Sequence, residues 1–469
     1  MIQVLANNSA LLCQARPGDN GRDSGASNAV CIFMLLTVIV ESIFLWNQPN
    51  ADYKLLVLLI NLLLFALLAV YDTPLGFKTA IMLLPFDAIL PSYKVAGLVA
   101  IDLYVEAILV LAVICLLKVV LGQLKYRFSS LDLIVLSFAL IALTFLFTSS
   151  DIHRSGYCYF HIVGVPTLTY FIVRVVLNSE AEYRSFRTHL LFSITVMAAA
   201  VVVIFAVTRQ RVDLFRGLES GTLFTLAIFL LWSARKERFL SLSVVNFAGL
   251  LFCFPRALLF CLFCSPVICL IVKKGLGRVF FLIVIIFSLL GTIWLQTVVT
   301  DSDYRESGRE LDKKQRYSTS IDTIEKSSTR LTDMDFFKNS IYGRVGLWKA
   351  DLPNFYAQPL FGAGVGMTNT KTASSHNVHV QLLSSVGLVG YLVFHLLLLQ
   401  SLGYKSVRAG GMLHRDLLFY STIVFIAYID GLTNGLMHGL FNYTLFPVMA
   451  LICNLRFFTS TEHTQPGGI

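Results

Sequence analysis

The sequence predicts an all-α polytopic membrane protein of about fourteen transmembrane helices (about 12–14), a helical bundle with one long outer-face loop. Three observations predict the helical membrane class. Of 469 residues, 56% are hydrophobic and only 14% are charged, where soluble domains carry about a quarter. Apolar runs of about 16 to 24 residues recur from end to end, the length that crosses a hydrocarbon core. Basic clusters fall on alternate short connections between them, as the positive-inside rule requires, while the opposite face receives Lys94, Arg154, Arg209, Arg211, Arg216 and Arg256. Backbone groups in lipid must be satisfied within the chain, so these runs are helices rather than open strands.

Residues 1–28 are polar (RPGDNGRDSGASN near the end) and read as an exposed tail without the pattern of a cleavable signal peptide. Residues 29–299 hold about eleven spans. They lie near 29–46, 54–71, 78–92, 97–121, 131–149, 158–177, 190–207, 214–233, 240–255, 257–272 and 279–299. Pro85 and Pro91 interrupt the third, and Pro255 with Arg256 divides the ninth from the tenth. Residues 300–377 form the long loop. Its first part is polar and poorly periodic, whereas from Asp335 aromatic and apolar residues alternate with charges. That second part predicts an amphipathic helix on the membrane, followed by a Pro-Leu-Phe-Gly turn. Three more spans, 378–400, 416–435 and 440–457, fill residues 378–457, and 458–469 is a second tail.

The basic clusters set the orientation. Lys125 and Arg127; Arg184 and Arg187; Arg235, Lys236 and Arg238; Lys273, Lys274 and Arg278; and Lys405, Arg408 and Arg415 fall on alternate connections. Assigning them to the cytoplasm puts both termini inside and the long loop outside. The net charge of +9 is then mostly this bias and carries no nucleic-acid footprint. The nine cysteines are scattered, mostly within spans. Cys261 and Cys264 have a CxxC spacing on an apolar helix, with no second pair and no nearby ligand histidine, and read as buried free thiols. Neither a metal site nor a cofactor is expected.

The stretch GAGVGMTNTKTASSHNVHVQLLSSVGLVG, Gly362 to Gly390, carries the chemistry. It places a titratable histidine, His376, where a long polar loop re-enters the membrane, with a glycine-rich turn before it and a glycine step after. A second reading of His376 is an interfacial residue at the start of the next helix. Asn377 reads most simply as the N-cap of that helix. His379 either shares the site or supports the fold. Asp430, Asn434 and His438 recur at steps of four and share a helical face, and Asp102 and Glu106 do the same in the fourth span. Such intramembrane polar groups line a groove for an acceptor or tie helices together.

Three motifs in order are similar to the O-antigen ligase/polymerase superfamily. They are Gly343-Arg344 with Trp348; PLFGAGVG from Pro359 to Gly366; and His376-Asn377 with Gln381 and Gly387. FPRALL, Phe254 to Leu259, resembles the family's Ser-Arg-x-Ala element, with Pro255 in place of the serine. RVDLFRGLESGTLFTLA, Arg211 to Ala227, resembles the segment with an arginine and an Asn-Pro-Asn step, here Glu219, Ser220 and Gly221. The resemblance covers roughly residues 205–400.

That resemblance implies a membrane glycosyltransferase-like helical bundle and glycosyl transfer on the outer face of a bacterial inner membrane. The donor would be a glycan on undecaprenyl diphosphate, the acceptor a second glycan, and a separate chain-length regulator a further partner. Guanidinium groups bind phosphate oxygens bidentately and stay charged, so Arg344, Arg256, Arg216 and Arg211 are candidates for the diphosphate. His376 is the candidate base for the acceptor hydroxyl. Asn377, His379, Asp430 and His438 are candidates for acceptor contact or support. Arg344 and Arg256 also read as lipid-interface anchors. Asp301 and Asp303 bracket a serine in the polar loop without the context of a metal-binding DxD, so the expected transfer is metal-independent and inverting. A polymerase is expected ahead of a ligase acting on lipid A-core. The reading from another class is a lipid-linked oligosaccharide transporter, for which an internal repeat would be expected.

Overall fold

The computed structural model describes residues 51–89, 92–95, 99–208, 217–233, 240–253, 256–299, 334–367, 377–402, 412–434 and 440–461, with isolated positions between 29 and 37. The predicted span at 29–46, those isolated positions apart, and the polar stretch 300–333 lie outside the described residues. Seven described helices are long and apolar enough to cross a membrane, and five shorter apolar helices accompany them.

Helix α1 (Ala51–Tyr71) leads through Asp72 into α2 (Thr73–Leu83). The Asp72 carboxylate accepts from the Leu75 N–H at 3.0 Å, capping α2, and proline occupies its first turn. The α-helix stops before Pro85, and the chain continues as a 3-10 turn over Leu84–Ile89. Beyond it the structure departs from the sequence reading. Strands β1 (Ser92–Val95) and β2 (Val99–Asp102) form an antiparallel hairpin, with Ser92 opposite Asp102. The next helix, α3, spans Leu103–Val120. Asp102 therefore closes a strand and shares no helical face with Glu106. Pro91 disfavours helix in the residue before it, and β-branched Val95, Val99 and Ile101 favour extended backbone.

Helix α4 (Ser130–Ala142) opens with a capping box between Ser129 and Asp132, and α5 (Phe145–Thr148) continues its direction after a turn. Helix α6 (Ile152–Tyr159) runs through a π-turn at Phe160–Gly164 into α7 (Val165–Val176). There follow α8 (Glu180–Thr208), α9 (Gly217–Ser233), α10 (Leu240–Cys253), α11 (Arg256–Lys273) and α12 (Gly277–Val298). After the long connection come α13 (Met334–Ala357), α14 (Val378–Ser401), α15 (Met412–Asn434) and α16 (Leu440–Thr461). A second, small cluster surrounds Val345 and Trp348, and a large hydrophobic core runs through the bundle. Tyr170, Tyr183, Phe224 and Tyr420 are fully enclosed in it, while Leu63, Phe287 and Trp294 are among many apolar side chains left on the outside. An apolar exterior is what contact with lipid selects.

Two buried knots fasten the helix ends on one side of the bundle. In the first, the Arg174 guanidinium pairs with Asp132 at 3.1 Å, and the Tyr170 hydroxyl donates to the same carboxylate at 2.6 Å. Arg174 also reaches the Arg127 carbonyl and the Asn454 side chain, and Asn454 donates to the Leu177 carbonyl at 2.9 Å. In the second, Arg187 pairs with Asp416 at 3.0 Å, and Tyr183 and Ser233 donate to that carboxylate. Arg456 and Arg278 donate to the last carbonyls of α14, those of Gln400 and Leu399, at 2.9 and 3.0 Å. Basic residues from several predicted cytoplasmic clusters thus gather at the same end of the molecule.

Candidate functional site

Helix α14 is broken. Gly387 has φ 66° and ψ −169°, a conformation open essentially to glycine alone. The break folds the two halves back on each other. The His379 imidazole and the Tyr391 hydroxyl, twelve residues apart, lie 2.9 Å from each other. A straight helix would hold the two α-carbons about 18 Å apart. The first half, Val378 to Val386, therefore lies against the second, and its N-terminus sits inside the protein.

A break inside a bundle orphans backbone groups, and the turn that precedes α14 in the chain satisfies them. The Ala363 and Gly364 N–H groups donate to the Ser384 and Ser385 carbonyls at 2.8 and 3.0 Å. In return, the Leu388 and Val389 N–H groups donate to the Pro359 and Leu360 carbonyls at 2.8 and 3.2 Å. The segment that reads PLFGAGVG in sequence is thus stitched into the gap. The Gln358 amide also donates to the Thr148 carbonyl at 2.9 Å, joining the turn to the end of α5. The sequence reading treated residues 378–400 as an unbroken span, and the break escaped it because 378–400 is apolar enough overall to read as one span despite Gln381, Ser384 and Ser385. The signal was present in the Gly362–Gly387 pair, whose mutual need for space shows only in three dimensions.

Asn377 caps the buried N-terminus. Its Oδ1 accepts from the His379 and Val380 N–H groups at 2.9 and 3.2 Å, and its Nδ2 donates to the Thr292 hydroxyl of α12 at 3.1 Å. Beneath the cap lies a polar cluster. His379 Nε2 is 2.8 Å from the Ser288 hydroxyl, and that hydroxyl donates to the Ile285 carbonyl at 3.0 Å. His395 Nδ1 is 2.8 Å from the Tyr391 carbonyl, and its Nε2 is 3.3 Å from the Tyr428 hydroxyl of α15. The two imidazoles stack with centroids 5.9 Å apart and an interplanar angle of 4°. Sequence reasoning named His379 but missed Ser288, Tyr391, His395 and Tyr428, because only the fold-back brings them together.

Helix α13 covers this region. Val345 and Trp348 pack with Val299 and with Val380 of the capped half-helix. Arg344, half-buried, is the neighbour of Val345, so it stands on the helix that touches the first turn of α14. Lys349 and Asn354 anchor α13 to the Val299 and Met367 carbonyls at 2.8 and 3.1 Å.

The remaining predicted residues divide plainly. His376, which directly precedes the cap, lies outside the described residues, as do Arg211, Arg216 and His438. Arg256 is the first residue of α11, and its side chain is not among those described. Asp430 is buried on α15, two residues beyond Tyr428. Among the described residues no group of three or more metal-ligating side chains converges.

Compared with protein-family models and with curated proteins, the chain matches none.

Proposed function

We propose that this protein is a surface-polysaccharide (O-antigen) polymerase of a bacterial inner membrane, with both termini in the cytoplasm and a periplasmic active site. It would be built on about fourteen membrane spans. In this reading it joins undecaprenyl-diphosphate-linked repeat units. The acceptor hydroxyl attacks the anomeric carbon of the donor sugar while His376 takes its proton. The bond from that carbon to the diphosphate oxygen breaks on the opposite face, with inversion, and arginines hold the charge that develops on the leaving diphosphate. Arg344 heads that set, with Arg256, Arg216 and Arg211 as the further candidates.

The observation that carries the reading is the broken helix. Its first half begins, capped by Asn377, immediately after His376. A half-helix N-terminus enclosed by protein presents positive potential where a diphosphate would be held. Three parts of the motifs that resemble the ligase/polymerase superfamily build this device: the glycine turn, Asn377 and Gly387.

The test is His376→Ala expressed in a strain without the native protein, with membrane insertion checked in parallel. Loss of the polysaccharide ladder, with one repeat unit still on lipid A-core, is the expected result. Loss of all attached glycan, with polymer accumulating on the lipid carrier, would identify the ligase instead. Broken helices are also a device of secondary transporters, so an oligosaccharide transporter is the second reading. It predicts an unchanged ladder from His376→Ala and failure of lipid-linked repeats to reach the outer leaflet when the chain is deleted.

A further inference from the structure

The polar cluster beneath Asn377 ties several elements together. A carbonyl can only accept, so His395 donates from Nδ1 to the Tyr391 carbonyl. Its Nε2 faces the Tyr428 hydroxyl at 3.3 Å. His379 Nε2 lies 2.8 Å from the Ser288 hydroxyl and 3.4 Å from the Tyr428 hydroxyl. His379 Nδ1 lies 2.9 Å from the Tyr391 hydroxyl. Two buried histidines thus lock the two halves of α14 to each other and to α12 and α15.

His379 is central. It is fully enclosed, sits two residues after the cap, and contacts α12 and the far side of the break at once. The polar bonds that bridge the fold-back at this depth pass through its ring, and the described segment they hold begins at Asn377. We infer that His379 is a positioning residue. As an imidazole clamped between Ser288 and Tyr391, it sets the angle at which the half-helix Val378–Val386 enters the bundle, and through it the placement of Asn377, the residue that follows His376 in the chain. This rests on the reading that His376 performs the chemistry. It gives the buried histidine a part that requires no contact with substrate, and it makes Tyr391 and Ser288 members of the same device.

A positioning group acts on the rate of reaction, whereas a purely structural group acts on the amount of folded protein. Misplacing a reacting group by about 1 Å costs about 100-fold in rate. The experiment uses the full-length protein in lipid nanodiscs, with undecaprenyl-diphosphate-linked repeat units as both donor and acceptor. Rates are expressed per folded molecule, as judged by thermal unfolding. Tyr391→Phe and His379→Leu should each lower kcat about 10- to 100-fold with KM changed by less than about threefold. His379→Gln can donate to Ser288 and accept from Tyr391, and should recover most of the rate. A second measurement is independent of the reaction. Ser385→Cys lies on the half-helix in a buried position, and its labelling by a water-soluble maleimide should rise several-fold when Tyr391→Phe is added. The inference is overturned if kcat per folded molecule is unchanged while the folded fraction falls, if Gln at 379 is no better than Leu, or if labelling does not change. If His376→Ala remains fully active, the proposed reaction falls, and the labelling comparison still decides whether the clamp holds the half-helix.

Discussion

Gly362 lies so close to Gly387 that a methyl group on Gly362 would come within 2.7 Å of the Gly387 nitrogen. The same turn crowds Gly387, where a methyl would meet the Leu360 carbonyl carbon and the Phe361 nitrogen, each at 2.4 Å. Both glycines have positive φ, 69° and 66°. Gly387→Ala should therefore combine backbone strain with a clash against backbone that cannot yield, a loss of about 2–5 kcal/mol. Thermal unfolding in detergent measures it. Gly291, where an added Cβ meets nothing within 4 Å, is the control, and its replacement by alanine should be neutral or slightly stabilising.

Asn377 has two separable duties. As a cap it satisfies two N–H groups, and as a donor it reaches Thr292. Asn377→Ala should cost about 0.5–2 kcal/mol in the same unfolding measurement. Asn377→Asp keeps the acceptor and should recover most of that stability. If the diphosphate reading holds, the added carboxylate should nevertheless depress transfer by repelling the donor, so stability and rate would part company in this one variant.

The buried pair of Arg187 and Asp416 offers a test of the fold away from the site. Asp416→Ala removes the partner of an enclosed guanidinium and orphans the Tyr183 and Ser233 hydroxyls. A loss of about 3–5 kcal/mol is expected. Replacing Arg187 and Asp416 together by Met and Leu should cost less than Asp416→Ala alone, because no charge is then left unpaired. Membrane-inserted yield and melting temperature report both.

Arg344→Lys keeps the charge and removes the planar fork. If Arg344 grips a diphosphate, transfer should fall at least about tenfold, with the expressed amount unchanged. Full activity from the lysine variant would leave Arg344 as an interface anchor and shift the diphosphate role to the other arginines.

Reporter fusions check the orientation. A cytoplasm-active fluorescent protein inserted after Lys274 should fold and glow, and a periplasm-active phosphatase inserted near residue 320 should be active. The reverse pattern would invert the bundle and place the broken helix toward the cytoplasm.

Much of the fold was legible because its determinants are local. Apolar length marked most described helices within a few residues, Pro85 marked the end of α2, and Asp335 marked the character change that begins α13. The hairpin at 92–102 was not legible, since Val95, Val99 and Ile101 satisfy a membrane helix by hydropathy as readily as a strand. The site was legible in part. The glycine turn and the Asn377 cap followed from residue type and order. The Ser288–His379–Tyr391–His395–Tyr428 cluster did not, because its members come from three helices and meet only after the chain doubles back. His376 is the residue on which the sequence reading leans most, and it lies outside the described residues.

The stitched break also bears on how the chain is made. Four peptide groups at the centre of α14 would face hydrocarbon unpaired if residues 378–401 entered the bilayer alone, and each such group costs several kcal/mol there. Their partners, Pro359 to Gly364, are the residues that leave the ribosome just before them. The segment can thus be handed to the bilayer as a preassembled unit, turn and both half-helices together. A deletion confined to the turn would then leave the neighbouring span unable to insert, and the defect would surface as a failure of biogenesis before any folded protein existed to assay.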